Sequence, residues 1–427
     1  MSFPKTALSI ALLLLPVMGG GCRFASLLNP LPSTSSSAIP PVSTSTVEGI
    51  PVATSTQIVP ISGAVGTIVA YRGGFIDGQE TVVWVTRHET LPGYPGTFAG
   101  RFSEVKTGRS GVIVQDPIEP TSSSGDTFTF SVLLDSLKEG ESVTGTAMYV
   151  LRSDGGEFYQ GTVNVNGKDQ AFTLARAPSL PSFDLIQFST STAATVGNCE
   201  YSVRYPQIRQ ADFLDNSQKS TINTKIVQLV QMGTSTFSEQ ATEFIESCQA
   251  ELKDLSEMDD EVSSDMTYVV DNSVQVSSAT PNVLSLILLN YVYSGGAHGI
   301  YGYESFNLRI PSGQALTLSE LVKPDQLKEF TKLVSRKLLA QNEEYLFPES
   351  VSDIKAFIKD TTPLSPEQQR EQYGRQGNWY LTDGGITFFY NPYEIASYAA
   401  GIQEVSLVFP SWRKMALPAA FTQGLLP

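Results

Sequence analysis

Short β-prone segments separated by glycine turns occupy the sequence from Ile61 to about Pro178. Two of these turns, Asp154-Gly155-Gly156 and Asn166-Gly167, stand between stretches of alternating apolar and polar residues, which is a strong hairpin signal. None of the segments shows convincing helical spacing. The pattern therefore predicts a small all-β domain over residues 61–178, built as a sandwich or a barrel.

Helical patterns begin after Ser182. Apolar residues recur at helical spacing from Ile222 to Val230, and Thr236 and Glu239 have the spacing of a capping box. Long strands follow, then a helix near residues 324–340 and a last strand pair. We expect an α+β domain over residues 182–427, with an antiparallel sheet and packed helices, so the chain is multi-domain.

The first residues have the pattern of an export signal that ends at a lipidated cysteine. Lys5 precedes a short apolar run, and three glycines stand directly before Cys22. The run is much shorter than the roughly 20 residues that a bilayer-spanning helix needs. Gly19 stands where the lipoprotein pattern has leucine. We nevertheless expect residues 1–21 to be a signal peptide and Cys22 to anchor an exported, extracytoplasmic protein to a cell membrane.

Residues 22–60 are nearly all Ser, Thr, Pro, Val and Ala, and they show no helical or strand period. This composition is typical of a disordered tether. In an extended, polyproline-like form, at about 3 Å per residue, such a tether reaches roughly 100 Å. The folded part of the protein is therefore expected to reach outward from its anchor.

Two cysteines remain beyond the anchor, Cys199 and Cys248. Disulfides persist in the compartments to which proteins are exported. A bridge closing a loop of about 50 residues stabilises a fold by roughly 4 kcal/mol in the chain-entropy model. The alternative, two separately buried thiols, stays open at this point.

The net charge of the chain restricts the kinds of molecule that it is expected to bind. The formal net charge is −15, which makes nucleic acid a poor partner. The same field favours a cationic partner such as a basic protein, although acidity also keeps many exported proteins soluble. An acidic run between Glu246 and Asp265 is a second candidate surface for a cationic partner, or simply a solvated face.

One of only two histidines lies in the stretch YSGGAHGIYGYESFNL, which begins at Tyr293. Three glycines in five positions predict a turn between two strands. Tyr293, His298, Tyr301 and Tyr303 are the candidate partner-binding residues, because tyrosine gives a large contact area at a small loss of side-chain entropy. The alternative is a turn that serves packing alone. The other histidine, His88, is expected at the surface.

Sequence motifs for catalysis are lacking. The chain has no Gly-x-Ser-x-Gly elbow, Walker phosphate loop, His-Glu-x-x-His helix or dinucleotide fingerprint. Two histidines leave little room for a metal hydrolase, and neither a metal nor a cofactor is expected. A hydrolase using His298 with a carboxylate, or a glycosidase using Glu304 with Asp383, remains the alternative to a non-enzymatic protein.

Three segments carry a family resemblance. They are Tyr205-Pro206-Gln207-Ile208, then YSGGAHGIYGYESFNLRIPSGQALTLSELV, then WYLTDGGITFFYNPYEIASYAAGIQEVSLVFP. Together they resemble the extracytoplasmic domain of RsiV-type anti-sigma factors, over roughly residues 183–421. The same module looks like the N-terminal region of PdaC-type peptidoglycan deacetylases.

The resemblance implies a binding role. In RsiV-type proteins the module binds lysozyme outside the cell, and cleavage of the anti-sigma factor then releases a sigma factor. We recognise no cytoplasmic anti-sigma segment, transmembrane helix or deacetylase domain here, so neither that signalling nor that activity is expected. The expected function is recognition of a cationic lysozyme-like protein or of peptidoglycan, with a purely architectural envelope role as a further alternative.

Overall fold

The structure is a computed structural model that describes residues 61–88, 99–115, 127–134, 143–151, 156–194, 197–231, 235–258, 267–363, 365 and 378–426. The predicted fold class is confirmed: an all-β part comes first and a region with helices and further sheet follows. The signal peptide, Cys22, the tether and most of the Asp154-Gly155-Gly156 turn lie outside the described residues.

The all-β part is a closed barrel of eight antiparallel strands. Each strand pairs with the next along the chain, and the last strand returns to pair with the first. The strands are β1 (Ile61–Gly74), β2 (Glu80–His88), β3 (Ala99–Glu104), β4 (Ser110–Gln115), β5 (Thr127–Leu134), β6 (Val143–Leu151), β7 (Glu157–Val165) and β8 (Lys168–Arg176). A short 3-10 turn at Ile76–Gly78 joins the first two.

Aromatic side chains fill the barrel interior. Phe75 lies at the centre, with its ring 5.1 Å from that of Phe172 and 5.7 Å from that of Phe102. Tyr71 and Tyr159 meet edge to face at 4.8 Å. These side chains are at most 4% exposed, so the interior is a packed core, as eight-stranded barrels allow.

Strand β1 also begins a second, open part of the same sheet. Its first half, Ile61–Ile68, pairs with β9, whereas Tyr71–Gly74 pairs with β8. The sheet continues in the order β9 (Ser182–Ala194), β10 (Gly197–Gln210), β11 (Thr267–Ala279), β12 (Val283–Ser294) and β13 (Ile300–Arg309). Only the β10–β11 pair among these is parallel, and two helices make its crossover.

The crossover helices cover one face of the open sheet, which we call the helical face. They are α1 (Asn216–Val230) and α2 (Phe237–Met258). Each begins with a capping box: Asp215 with Gln218, and Thr236 with Glu239 as predicted. A disulfide joins Cys199 of β10 to Cys248 of α2, with 6.2 Å between their Cα atoms. Strand and helix are thus covalently linked across a buried core.

A second, three-stranded sheet packs on part of the opposite face, which we call the front face. Its strands are β14 (Trp379–Thr382), β15 (Gly385–Tyr390) and β16 (Gln403–Val408). The side chains of Ser305 and Asn307 on β13 both donate to the carbonyl of Trp379. Four helices lie in the described residues of this region: α3 (Leu327–Asn342), α4 (Pro348–Lys359), α5 (Phe409–Trp412) and α6 (Pro418–Thr422). Short 3-10 turns lie at Leu318–Glu320, Pro324–Gln326, Glu343–Tyr345 and Tyr398–Ala400.

Asp383, in the β14–β15 turn, fastens the second sheet to both other parts of the fold. Its carboxylate accepts hydrogen bonds from Trp84 Nε1 at 3.2 Å and Ser103 Oγ at 3.1 Å in the barrel, and from Ser278 Oγ at 2.8 Å in the open sheet. Desolvation raises the pKa of this carboxyl, while those three donors oppose the rise.

None of the described helices combines the length and hydropathy needed to cross a bilayer.

Replacing both Cys199 and Cys248 with serine should lower the free energy of unfolding by about 4 kcal/mol, because the bridge closes a loop with a sequence separation of 49. Urea denaturation of the double variant measures the loss. A Cys22→Ser variant serves as the control and should unfold like the wild type. Labelling of two thiols in denatured, unreduced protein would contradict the bridge.

Candidate partner-binding surface

The glycine-rich turn lies between β12 and β13, at residues 295–299, where the sequence predicts it. Gly295 has a φ of +76°, which an L side chain rarely adopts. At Gly299 an added Cβ would lie 2.5 Å from the ring of Tyr291, so a larger residue does not fit there. The turn therefore brings the backbone directly against an aromatic ring.

Five aromatic side chains gather around this turn, and we call them the aromatic patch: Tyr291, His298, Tyr301, Tyr393 and Tyr398. Tyr398 is central. Its ring stacks on that of His298 at 4.0 Å, meets that of Tyr301 edge to face at 5.3 Å, and lies 5.9 Å from that of Tyr393. Its hydroxyl donates to the carbonyl of Gly299 at 2.5 Å. The patch is thus tied to the turn by both stacking and hydrogen bonding.

Much of the patch faces solvent. His298 is exposed, and Tyr393 is 61% exposed on a backbone with a φ of +70°. Neighbouring Ile300 is 66% exposed. Desolvation raises the pKa of Tyr398, and the nearby phenols of Tyr301 and Tyr291 act in the same direction. An exposed group of large rings and an aliphatic side chain is typical of an interaction surface.

The predicted residues divide between this patch and its surroundings. His298 and Tyr301 belong to it. Tyr293 lies on the same strand face as Tyr291, opposite Val269, and is partly exposed. Tyr303 instead turns its ring to buried Phe389, at 5.8 Å, and so packs under the second sheet rather than joining the exposed patch.

Three members of the patch were missed in the sequence. Tyr291 stands two positions before Tyr293, so strand alternation already placed both on one face. Tyr393 and Tyr398 lie about a hundred residues away along the chain. Local patterns carry no signal that brings distant segments together, so only the fold could add these two.

The outer edge of β13 is largely occupied by the protein itself. The side chain of Asn391 accepts from the N–H of Tyr303 at 2.7 Å and donates to its carbonyl at 3.1 Å. Further along, the N–H of Leu316 bonds to the carbonyl of Asn307 at 2.7 Å. Covered edges resist pairing with another strand. A partner that bound at this edge would therefore have to contact side chains rather than extend the sheet.

Among the described residues, neither of the two catalytic arrangements that the sequence left open is assembled. His298 Nδ1 lies 3.0 Å from the carbonyl of Gly299, and its ring stacks on Tyr398; neither contact supplies a carboxylate. Glu304 lies opposite Leu288 on the helical face of the sheet. Asp383 instead accepts a hydrogen bond from Ser278 on the front face. The two carboxyls thus lie on opposite sides of the sheet and do not flank one substrate.

The remaining predicted features are placed as follows. The backbone of His88 ends β2, and its side chain lies outside the described residues. The acidic run is described only as far as Met258, at the end of α2, where Glu246 is exposed. Within the described ranges, no group of three His, Cys, Asp or Glu side chains has the arrangement of a metal site.

Two family models match parts of the chain. The model of a protein family of unknown function, DUF3298, matches residues 319–409, and the model of deacetylase PdaC matches residues 195–301. The aromatic patch takes residues from both matched regions. No curated protein matches the chain. The RsiV-type resemblance and its lysozyme binding stay predictions.

Solved structures of the DUF3298 family are also similar to this chain. One, from Bacteroides fragilis, is 23% identical with a TM-score of 0.41, covering 57% of this chain and 96% of its own. Another, from Pseudomonas aeruginosa, is 15% identical with a TM-score of 0.38, covering 59% of this chain and 99% of its own.

Substitutions at Tyr398 test whether it holds the patch together. Tyr398→Phe should lower the free energy of unfolding by about 1 kcal/mol through loss of the bond to Gly299, and Tyr398→Ala by about 2 kcal/mol through loss of the ring contacts as well. Urea denaturation measures both. Tyr393→Phe is the matched control, and an equal effect of the two Tyr→Phe changes would contradict the assignment.

Because the carboxyl of Glu304 is largely buried, we expect the free energy of unfolding to depend on pH. Desolvation raises the pKa of this carboxyl, opposed by the hydrogen bond from Asn290 at 3.5 Å. A carboxyl whose pKa is higher in the folded state stabilises the fold below its unfolded pKa and loses that contribution as pH rises through the folded value. The free energy of unfolding of Glu304→Gln, which stays neutral, should therefore match that of the wild type near pH 4 and exceed it at pH 7.

Urea denaturation at the two pH values measures this difference. Glu200→Gln, at an exposed position on β10, is the control and should leave the pH dependence unchanged. If the Glu304→Gln protein lost stability with rising pH as steeply as the wild type does, the buried charge of Glu304 would not be the cause of that loss.

Proposed function

We propose that this protein is a non-catalytic binding protein of the cell envelope, exported and lipid-anchored, that recognises cell-wall glycan through the aromatic patch. The observation that carries the proposal is the stacked, partly exposed group of His298, Tyr301, Tyr393 and Tyr398 around one turn. Sugar rings have an apolar face and a polar rim. Tyrosine rings with their hydroxyls offer the complementary surface.

The patch is also held in place before any ligand arrives. Tyr398 is bonded to the turn, and Asn391 holds the neighbouring loop to β13 through two hydrogen bonds. Fixing aromatic side chains in advance reduces the entropy lost on binding. Such rigidity suits recognition of a repeating, chemically uniform polymer.

The family-model matches support a role at the cell wall. A region with a match to deacetylase PdaC contributes Tyr291, His298 and Tyr301, and the resemblance to PdaC-type proteins points to peptidoglycan as the material recognised. Binding without catalysis fits the separation of Glu304 from Asp383, and it fits the contacts that His298 makes with described residues, which include no carboxylate. On this proposal Cys22 and residues 22–60 hold the binding surface away from the membrane.

A cationic lysozyme-like protein is the second candidate ligand. The net charge of −15 favours a basic partner, and the RsiV-type resemblance implies lysozyme. Exposed Ile300 beside the tyrosines would suit a protein interface. Salt distinguishes the two ligands, because encounter with a basic protein is screened at high ionic strength whereas stacking on a neutral sugar is not.

Calorimetric titration of the purified protein with β-1,4-linked N-acetylglucosamine oligosaccharides, and separately with a C-type lysozyme, tests this function at low salt and at about 0.5 M salt. We expect saturable, salt-independent oligosaccharide binding that Tyr301→Ala weakens about tenfold. Tyr345→Ala, at a surface position outside the patch, is the control.

Each result has a separate meaning. Binding of lysozyme alone would replace glycan by a protein partner on the same surface. Release of shortened oligosaccharides during the titration would overturn the non-catalytic role in favour of an envelope hydrolase. If neither ligand bound, recognition of cell-wall material would be wrong, and an architectural role would take its place.

A further inference from the structure

The front face does not end at the aromatic patch but continues across four strands toward the barrel. Two cross-strand rows follow from the pairing. Tyr301, Tyr291, Asp271 and Ser202 form the first row, and Tyr303, Leu289, Ser273 and Arg204 form the second. Every one of these side chains is partly exposed. The face therefore reaches solvent along the first row and, from Leu289 to Arg204, along the second, whereas Tyr303 at the start of the second row packs against Phe389 of the second sheet.

The middle of this face is polar but nearly neutral. Arg204 Nη2 donates to Asp271 Oδ2 at 2.6 Å, and Ser202 Oγ donates to Asp271 Oδ1 at 2.5 Å. Arg204 and Asp271 are 32% and 34% exposed, so both reach solvent. Because their charges compensate each other, a neutral ligand with hydroxyl groups matches this part of the face better than an ion does.

At the barrel end the face meets a cleft of about 480 Å³. Trp84 and Val112, on the outside of β2 and β4, form part of its wall, and Arg204 and Gln275 of the open sheet line the other side. The volume falls within the range of small-molecule sites, and such sites are common where two parts of a fold meet. Apolar walls with a few amide and guanidinium donors are a suitable lining for a sugar ring.

From these three observations we infer that the binding site is a trough that crosses the strands and holds a linear, uncharged oligosaccharide, with the barrel wall forming the subsite farthest from the aromatic patch. The inference rests on the proposed glycan recognition and extends it. From β13 to β11, where Ser273 and Gln275 already line the cleft, the trough crosses two strand spacings, roughly 10 Å at about 4.8 Å each, and the cleft extends this span to the barrel wall. This span requires a chain of several sugars, and it assigns a binding role to the barrel.

The length dependence of binding tests the trough. Calorimetric titration compares the di-, tetra- and hexasaccharide of β-1,4-linked N-acetylglucosamine. We expect the tetrasaccharide to bind at least about tenfold more tightly than the disaccharide, with little further gain for the hexasaccharide. Val112→Trp fills the cleft, so it should abolish the gain in affinity from the disaccharide to the tetrasaccharide. The affinity for the disaccharide itself should stay unchanged. Leu133→Trp is the matched control, because Leu133 pairs with Val112 on the next strand and is 55% exposed outside the cleft.

A second measurement does not depend on the folding of a variant. Trp84 lies in the cleft wall, so the tetrasaccharide should change tryptophan fluorescence in the wild type and the disaccharide should not. Two results would overturn the trough while leaving glycan recognition at the patch intact. One is equal affinity for the disaccharide and the tetrasaccharide, and the other is an undiminished gain in affinity with oligosaccharide length in a folded Val112→Trp protein. Failure of every oligosaccharide to bind would instead overturn the proposed function and the trough with it.

Discussion

Backbone pairing of a single strand, β1, holds this architecture together. Its second half closes the barrel against β8, its first half begins the open sheet against β9, and β2 pairs along most of its length. The junction needs close backbone approach: a Cβ at Gly73 would lie 2.1 Å from the carbonyl oxygen of Thr173. Because one strand belongs to both parts, the barrel wall and the front face have a defined orientation. The cleft between them follows from that orientation.

Side-chain hydrogen bonds then fix the second sheet against this frame. Asp383 receives donors from the barrel and from the open sheet at once. Arg101 of β3 donates to the hydroxyl of Tyr380, which in turn donates to Glu404 of β16. Arg101, Tyr380 and Glu404 are at most 7% exposed, so these bonds are made away from water, where a lost partner is most costly. The loop that carries Tyr393 and Tyr398 is placed by this buried network.

Local features of the fold could be predicted from the sequence, and features that depend on distant pairing could not. Asn166 and Gly167 have φ values of 51° and 80°, as a hairpin turn of this composition requires, and the capping box at Thr236 needs only four residues. The choice of a barrel over a sandwich depends on β1 meeting β8, about a hundred residues later. The parallel β10–β11 pair and helix α4 were also missed. For the site, His298 and Tyr301 share one local segment, whereas Tyr398 joins them only through the tertiary fold.

The covered edge of β13 decides how a ligand can use this surface. A peptide strand added at the edge would compete with Asn391 and with Leu316 for the backbone groups of Tyr303 and Asn307. A ligand that crosses the strands meets no such competition, since it lies on side chains whose backbone bonds are already made. Such a ligand contacts both regions that match family models and then the barrel, which neither model covers. The barrel thus gains a role beyond support only if the ligand is long enough to reach it.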